Sequence, residues 1–483
     1  MQPGLVFAII ASYFLLLLVI SYFTSRNADS DTFFTGNKQS PWYLVAFGMI
    51  GASLSGVTFI SVPGEVGNTQ FSYFQLVLGY LLGYGVIATV LMPLYYRMNL
   101  VSIYGYLEQR FGFWSYKTGA FFFLLSKIVG ASFRLFLVAG VLQLSLFDAW
   151  GVPFWATVMF TIILIWLYTF RGGIKTIVWT DTLQTVFMLM AVITSIYLIK
   201  SELDMTFAGL VDTVTESRYS KIFFWDWQSG KYFFKQFFSG AFIAIVMTGL
   251  DQDMMQKNLT CRSLGDAQKN MFSFSIVLVF ANFLFLSLGA LLFVYVESKG
   301  IPMPARTDDL YPMLAVNEFT VFAGTVFILG IIAAAYSSAD SALTGLTTSF
   351  CVDFLNFAEK KEDIKKKTRI RVHIAFSFIL FLTILVFNAI NDKSVISAVF
   401  TAAGYTYGPL LGLYSFGLFT KWNVRDRFVP TICVLSPILS YVINVNSEEW
   451  LNGYRFGFEI LLVNGLLTFL GLLLVALPAQ KKQ

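Results

Sequence analysis

The sequence has little charge and few residues of the types that hold metals or cross-links. Asp, Glu, Lys and Arg make up only 13% of its 483 residues, and it contains one His and three Cys. The cysteines are scattered, which argues against a disulfide framework or a metal site, and His373 has no candidate ligands beside it. No Walker P-loop and no room for a kinase domain are found, which excludes an ABC-type pump and a transporter-linked sensor kinase.

The sequence consists largely of long apolar stretches instead. It is 57% hydrophobic, has a mean hydropathy of +0.70 and contains 52 Phe. Apolar runs of about 20 residues, enough to cross ~30 Å of hydrocarbon, recur along the chain. The pattern predicts an all-α integral membrane protein of about thirteen transmembrane helices. The predicted spans are 5–24, 42–66, 72–98, 116–146, 153–170, 177–199, 233–256, 272–296, 319–356, 371–390, 394–419, 428–444 and 456–477.

The basic residues predict the orientation. No Lys or Arg precedes the first span and no small-residue cleavage site follows it, so it is predicted to be a retained helix. With the N-terminus outside, most Lys and Arg fall in cytoplasmic loops, including Lys257 and the cluster from Lys360 to Arg371. We therefore expect a multi-pass protein of the cell membrane with its C-terminus in the cytoplasm.

The second span interrupts its own helical pattern. Within residues 51–65, GASLSGVTFISVPGE, small and hydroxyl residues replace the apolar ones and Pro63 follows. An unwound stretch here would offer backbone carbonyls to a cation near the midplane. Close packing of helices through small residues is the alternative.

Residues 333–354 place hydroxyls inside another span. Ser337, Asp340 and Ser341 lie at i, i+3 and i+4, on one helix face, and Ser338 is about 100° around from Ser337. A hydroxyl-rich face with one carboxylate supplies the oxygens that sodium needs. A proton-carrying role for Asp340 is the alternative.

Three more ionisable residues lie inside spans. Asp181 is near the cytoplasmic start of the sixth span, where a favourable helix N-terminal charge is the alternative to a functional role. Lys127 and Arg134 share a face of the fourth span. Lys127 is expected to snorkel to the cytoplasmic boundary, whereas the deeper Arg134 needs an anionic partner, either a protein carboxylate or the substrate.

At these residues the sequence resembles the sodium/solute symporter family, which includes sodium–glucose, proline, iodide, monocarboxylate and sialic acid transporters. The resemblance is carried by SLSGVTFISVPGE, SIYGYLEQRFG, RGGIKTIVWTDTLQ, DQDMMQKNLTCRSLGDAQK, AAAYSSADSAL and GYTYGPLLGLYSFGLF. It implies a leucine-transporter-like fold with broken helices. An extra N-terminal helix at 5–24 would precede inverted repeats at 42–199 and 233–419, with C-terminal helices at 428–477.

The resemblance also implies two cation sites. The first sodium ion would be bound by the carbonyls of Gly51, Leu54 and Ala334 and by the hydroxyls of Ser337 and Ser338. A second ion would be bound by Asp181, Ser337, Asp340 and Ser341. Asp340 stands where the family pattern has a hydroxyl, so one or two sodium ions are expected.

The sialic acid transporters are the branch that the second span resembles most. There an Arg on the fourth span holds the substrate carboxylate, and Arg134 matches it when the alignment runs back from the end of the span. Counting forward places Gly130 at that position. Ser53, Ser55 and Thr58 resemble contacts to substrate hydroxyls, and Gln75 matches a further polar contact across a two-residue gap.

We therefore predict a monomeric, sodium-coupled symporter that imports a small organic solute bearing a carboxylate, such as a sialic acid. Its partners would be sodium, the solute and lipid, with no nucleic acid. One rival is a proton-coupled or neutral-sugar symporter in which Asp340 takes a proton and Arg134 pairs with a protein carboxylate such as Glu65. A channel or transporter-like sensor is another. An enzyme is poorly supported, since no nucleophile–base pair, metal cluster or cofactor motif appears.

Overall fold

The computed structural model describes residues 3–25, 36–355, 357, 360–390 and 394–478. Residue 356, at the end of the ninth predicted span, lies outside them. The described chain is almost wholly helical, as a chain in lipid must be to satisfy its backbone polar groups internally. Its helices are α1 (Pro3–Ser25), α2 (Trp42–Ser53), α3 (Gly56–Thr69), α4 (Tyr73–Val86), α5 (Met92–Arg97), α6 (Gly105–Arg110), α7 (Phe113–Leu142), α8 (Phe154–Glu202), α9 (Phe207–Glu216), α10 (Phe233–Ala244), α11 (Gln252–Leu259), α12 (Leu264–Lys299), α13 (Leu310–Met313), α14 (Val321–Ser349), α15 (Glu362–Ile390), α16 (Val395–Thr406), α17 (Gly408–Phe419), α18 (Val429–Val445), α19 (Ser447–Trp450) and α20 (Ile460–Leu474). The two-residue strands β1 (Asn423–Val424) and β2 (Ala476–Leu477) pair antiparallel.

Eight continuous helical stretches of the described chain, such as Gly56–Arg97, which joins α3, α4 and α5, are long and apolar enough to cross a membrane, and a bent helix pair makes a ninth. Shorter apolar helices occupy further predicted spans, and the count of thirteen stays a prediction. The predicted spans 153–170 and 177–199 lie in one helical run, α8, of 49 residues. At 1.5 Å per residue this run is about 74 Å long, more than twice the hydrocarbon thickness of ~30 Å, so it has length for both spans.

The second span is broken where its composition predicts. Helix α2 ends at Ser53 and α3 begins at Gly56, and Leu54 and Ser55 between them have non-helical backbone angles. The Leu54 N–H donates to the Ile50 carbonyl, and the next such bond in the described chain runs from Phe59 to Ser55. Ser and Gly lose little by leaving the helix, so the chain unwinds here.

A second break lies in the seventh predicted span. Helix α10 continues through a π-helical turn, Ile245–Gly249, and the chain then bends by 67° before α11. Asp251 caps α11 by accepting a hydrogen bond from the Met254 N–H at 3.2 Å. All eight residues of α11 are buried, so this short helix lies inside the bundle.

Helix α14 forms the centre of the bundle. It is buried without interruption from Gly330 to Ser349 and packs most extensively on α8, which also contacts α1 and α2. Helices α4 and α10 approach so closely that a Cβ on Gly79 would overlap the Phe237 carbonyl, and one on Gly240 would overlap the Leu76 carbonyl. Glycine at these two positions lets the two backbones touch.

Candidate substrate and ion sites

A cavity lies where the two broken spans, α2–α3 and α10–α11, face α7 and α16. Four of the predicted substrate residues line it together: Ser53, Ser55, Thr58 and Arg134. Gly130, one helical turn before Arg134, lines it as well, so both alignments of the fourth span reach the same space. The cavity wall also contains residues that sequence reasoning did not assign to the substrate site, among them Tyr73, Tyr80, Tyr84, Ser126, Lys127, Thr248, Asp251, Asn282 and Tyr407.

Gln75 does not line this cavity. Its Nε2 donates to the carbonyl of Lys231 at 2.9 Å and more weakly to that of Ser72, and its Oε1 accepts from the Phe224 N–H at 3.2 Å. The buried amide thus joins α4 to the segment before α10. Its hydrogen-bonding groups are occupied by backbone groups.

Arg134 enters the cavity without a protein counter-ion. Among the described residues no carboxylate forms a salt bridge with it, and its buried Nε has no hydrogen-bond partner there. Glu65, which the neutral-sugar alternative offers as an example of a carboxylate partner, instead accepts a hydrogen bond from Asn68. The structure therefore does not form the Arg134–Glu65 pair.

Lys127 does not snorkel to the cytoplasmic boundary, and that prediction is wrong. Its ammonium is buried and contacts Asp253 Oδ2 at 2.6 Å and Asp251 Oδ1 at 3.2 Å. Tyr407 also donates to Asp251, at 2.6 Å. The bend before α11 brings both carboxylates to Lys127, so the charge is neutralised inside the protein and has no reason to reach the lipid surface.

The acidic pair at this bend was missed, although a signal for it was present. Asp251 and Asp253 lie in the quoted segment DQDMMQKN, within a predicted span, and carboxylates in a span mark functional or paired positions. What the sequence did not show is that the span breaks just before them.

The predicted ion ligands on α14 are buried side chains. Ser337, Ser338, Asp340 and Ser341 are each 4% exposed or less. The Ser337 hydroxyl donates to Asp181 Oδ1 at 2.6 Å, whereas the Ser338 hydroxyl bonds at 3.3 Å to the Ala334 carbonyl of its own helix. The structure thus joins Asp181 and Ser337 across two helices.

Asp181 is also held by a cation of the protein itself. Lys257 Nζ lies 2.7 Å from Asp181 Oδ2, and both side chains are fully buried. The placement of Lys257 in a cytoplasmic loop is therefore wrong, because α11 carries it into the bundle.

The sodium:solute symporter family matches residues 33–425. The chain belongs to this family. It is therefore a multi-pass membrane transporter that couples sodium to the movement of a solute, as the sequence predicts.

Relatives in this family are distant but cover most of the chain. The sodium/sialic acid symporter NanT of Aliivibrio fischeri is 24% identical over 90% of this chain and 86% of its own. SiaT of Proteus mirabilis, another sodium/sialic acid symporter, is 23% identical over 86% and 84%. A solved substrate-bound, outward-open structure of a Na⁺-coupled sialic acid symporter superposes with a TM-score of 0.82 at 20% identity, covering 98% of both chains. These likenesses establish the shared fold.

Proposed function

We propose that this symporter imports a small carboxylate-bearing solute, such as a sialic acid or another acidic sugar, together with sodium. The observation that carries the proposal is Arg134, a guanidinium in the central cavity that forms no salt bridge with a described carboxylate. A charge at membrane depth is costly when it has no partner, and a solute carboxylate offers two parallel charge-assisted hydrogen bonds.

The rest of the cavity supports a polyhydroxylated solute. Ser53, Ser55 and Thr58 bring hydroxyls to one side of the cavity and tyrosine phenols face it from α4. Hydroxyls and phenols both donate and accept hydrogen bonds, which suits the hydroxyl groups of a sugar. The relatives named as sodium/sialic acid symporters agree with this class of solute.

We place the coupling sodium ion between the break in the second span and α14. The carbonyls of Gly51 and Leu54, the Ala334 carbonyl and the hydroxyls of Ser337 and Ser338 are its proposed ligands. The interruption at Leu54 supports this site, because it leaves carbonyls without helical partners, and α2 packs against α14. Oxygen ligands of this kind suit a hard cation.

The transport cycle would be alternating access between outward- and inward-open states around the cavity. The inverted repeats proposed for 42–199 and 233–419 each begin with an interrupted helix, which supports this assignment. One sodium charge that moves into a cell whose interior is 100 mV negative releases ~2.3 kcal/mol. A coupling free energy of ~1–3 kcal/mol between ion and solute is enough for cooperative binding.

Uptake by proteoliposomes tests the solute class. We expect a sodium gradient to drive saturable uptake and counterflow of N-acetylneuraminic acid, and we expect its methyl ester to be rejected. Arg134→Lys should raise KM and Arg134→Ala should nearly abolish binding, since neither side chain can form the bidentate pair. The matched control is Arg218→Ala, whose side chain is 72% exposed and pairs with Glu297.

Three results would contradict the proposal. Transport of a neutral sugar in preference to the acid would assign a different solute class. An unchanged KM in Arg134→Ala would make this arginine a structural residue. Absence of saturable counterflow with any solute would instead favour a channel or a sensor.

A further inference from the structure

Asp181 on α8 and Lys257 on α11 form a buried ion pair, and sodium coupling alone does not explain why this pair is present. We infer that the Lys257 ammonium occupies the second cation position of this symporter as a permanently tethered cation, so that the chain binds one sodium ion. The inference rests on the sodium coupling of the family and does not depend on the chemistry of the solute.

The contacts of Asp181 carry the argument. Its Oδ2 accepts from Lys257 at 2.7 Å and its Oδ1 accepts from Ser337 at 2.6 Å. The negative charge of Asp181 is therefore compensated by the Lys257 ammonium, and its other oxygen is occupied by the hydrogen bond from Ser337. Two of the groups that the resemblance assigns to a second sodium ion, Asp181 and Ser337, are thus joined to each other, and Asp181 is already paired with Lys257.

The backbone holds Lys257 at this position. Helix α11 is pressed against α14, where a Cβ on Gly345 would come within 2.7 Å of the Asp253 Cβ. Asn258 Oδ1 accepts from Asn270 at 2.6 Å, and the Thr260 carbonyl accepts from the Ser40 N–H at 3.0 Å. A lysine on a helix fixed at both ends cannot withdraw to solvent as a loop lysine would.

The tethered cation also orients the remaining ion site. Because Lys257 keeps Asp181 as an acceptor, the Ser337 hydroxyl directs its proton to Asp181 and leaves its lone pairs for a cation. Lys257 is therefore a positioning residue for the sodium site as well as an occupant of the neighbouring one.

Counting bound sodium tests the inference. The full chain in lipid nanodiscs is titrated with ²²Na⁺ in the absence of solute, and the number of ions bound per chain at saturation is measured. We expect one ion for the wild type, two for Lys257→Met, which removes the ammonium but keeps the apolar stem, and one again for Lys257→Met combined with Asp181→Asn. The matched control, Lys269→Met, removes an exposed lysine and should bind one ion.

Two ions bound by the wild type would overturn the inference, and this measurement needs no variant to fold. One ion bound by a folded Lys257→Met protein would also overturn it, because the vacated position would then not be a cation site. If Lys257→Met cannot be purified, Asp181→Asn decides: a capacity that stays at one supports the inference, and a fall from two to one refutes it. Failure of sialic acid uptake would refute the proposed solute without changing these counts.

Discussion

Replacing Ser337 by Ala removes a hydroxyl to which we assign two tasks. It donates to Asp181 at 2.6 Å in a fully buried setting, and it is a proposed ligand of the sodium ion. A hydrogen bond to an ionised partner contributes ~1.5–3 kcal/mol. We expect Ser337→Ala to lose about that much stability without sodium and to bind sodium more weakly.

Ser338→Ala is the matched variant on the adjacent position. Its hydroxyl is also a proposed sodium ligand, but its described hydrogen bond is a 3.3 Å contact to the Ala334 carbonyl of its own helix. A bond of that kind contributes only ~0.5–1.5 kcal/mol. Both variants keep or improve helix propensity, so neither should unfold α14.

The sodium dependence of uptake measures the role that both hydroxyls share as proposed sodium ligands. If one ligand oxygen contributes as much as a charge-assisted hydrogen bond, ~1.5–3 kcal/mol, the sodium concentration for half-maximal uptake rises roughly 10- to 150-fold in both variants. Unfolding in sodium-free buffer measures the contribution of the hydrogen bond to Asp181, and there only Ser337→Ala should lose substantial stability. Wild-type sodium dependence in both variants would remove the ion site, and equal stability of the two would refute the importance of the Asp181 bond.

Two further substitutions test packing and the buried charges. Gly79→Ala should sharply lower the yield of folded protein, because its Cβ would overlap the Phe237 carbonyl, whereas Gly85→Ala, with open space around it, should express normally when both are compared by size-exclusion chromatography. Lys127→Met should destabilise the protein by about 3–5 kcal/mol, since two buried carboxylates lose their cation, and thermal unfolding equal to wild type would contradict the pairing.

Local composition was enough to predict several features of this chain. The break at Leu54 follows from small and hydroxyl residues inside a span, because unwinding depends on the residues at that point. Arg134 could be assigned to the interior from its depth in a span, and it lines the cavity. The apolar runs predicted a membrane protein for the same reason, since their length and composition alone match the bilayer.

The partners of the buried lysines required the tertiary structure. Lys127 and Asp251 are 124 residues apart, and Lys257 and Asp181 are 76 apart. Counting basic residues assigns Lys257, just past the end of a predicted span, to a cytoplasmic loop, and the length of its side chain predicts that Lys127 snorkels to the boundary. Only the bend before α11 carries Asp251, Asp253 and Lys257 into the bundle, because it depends on how distant helices pack and on which carboxylates can then compensate a buried charge.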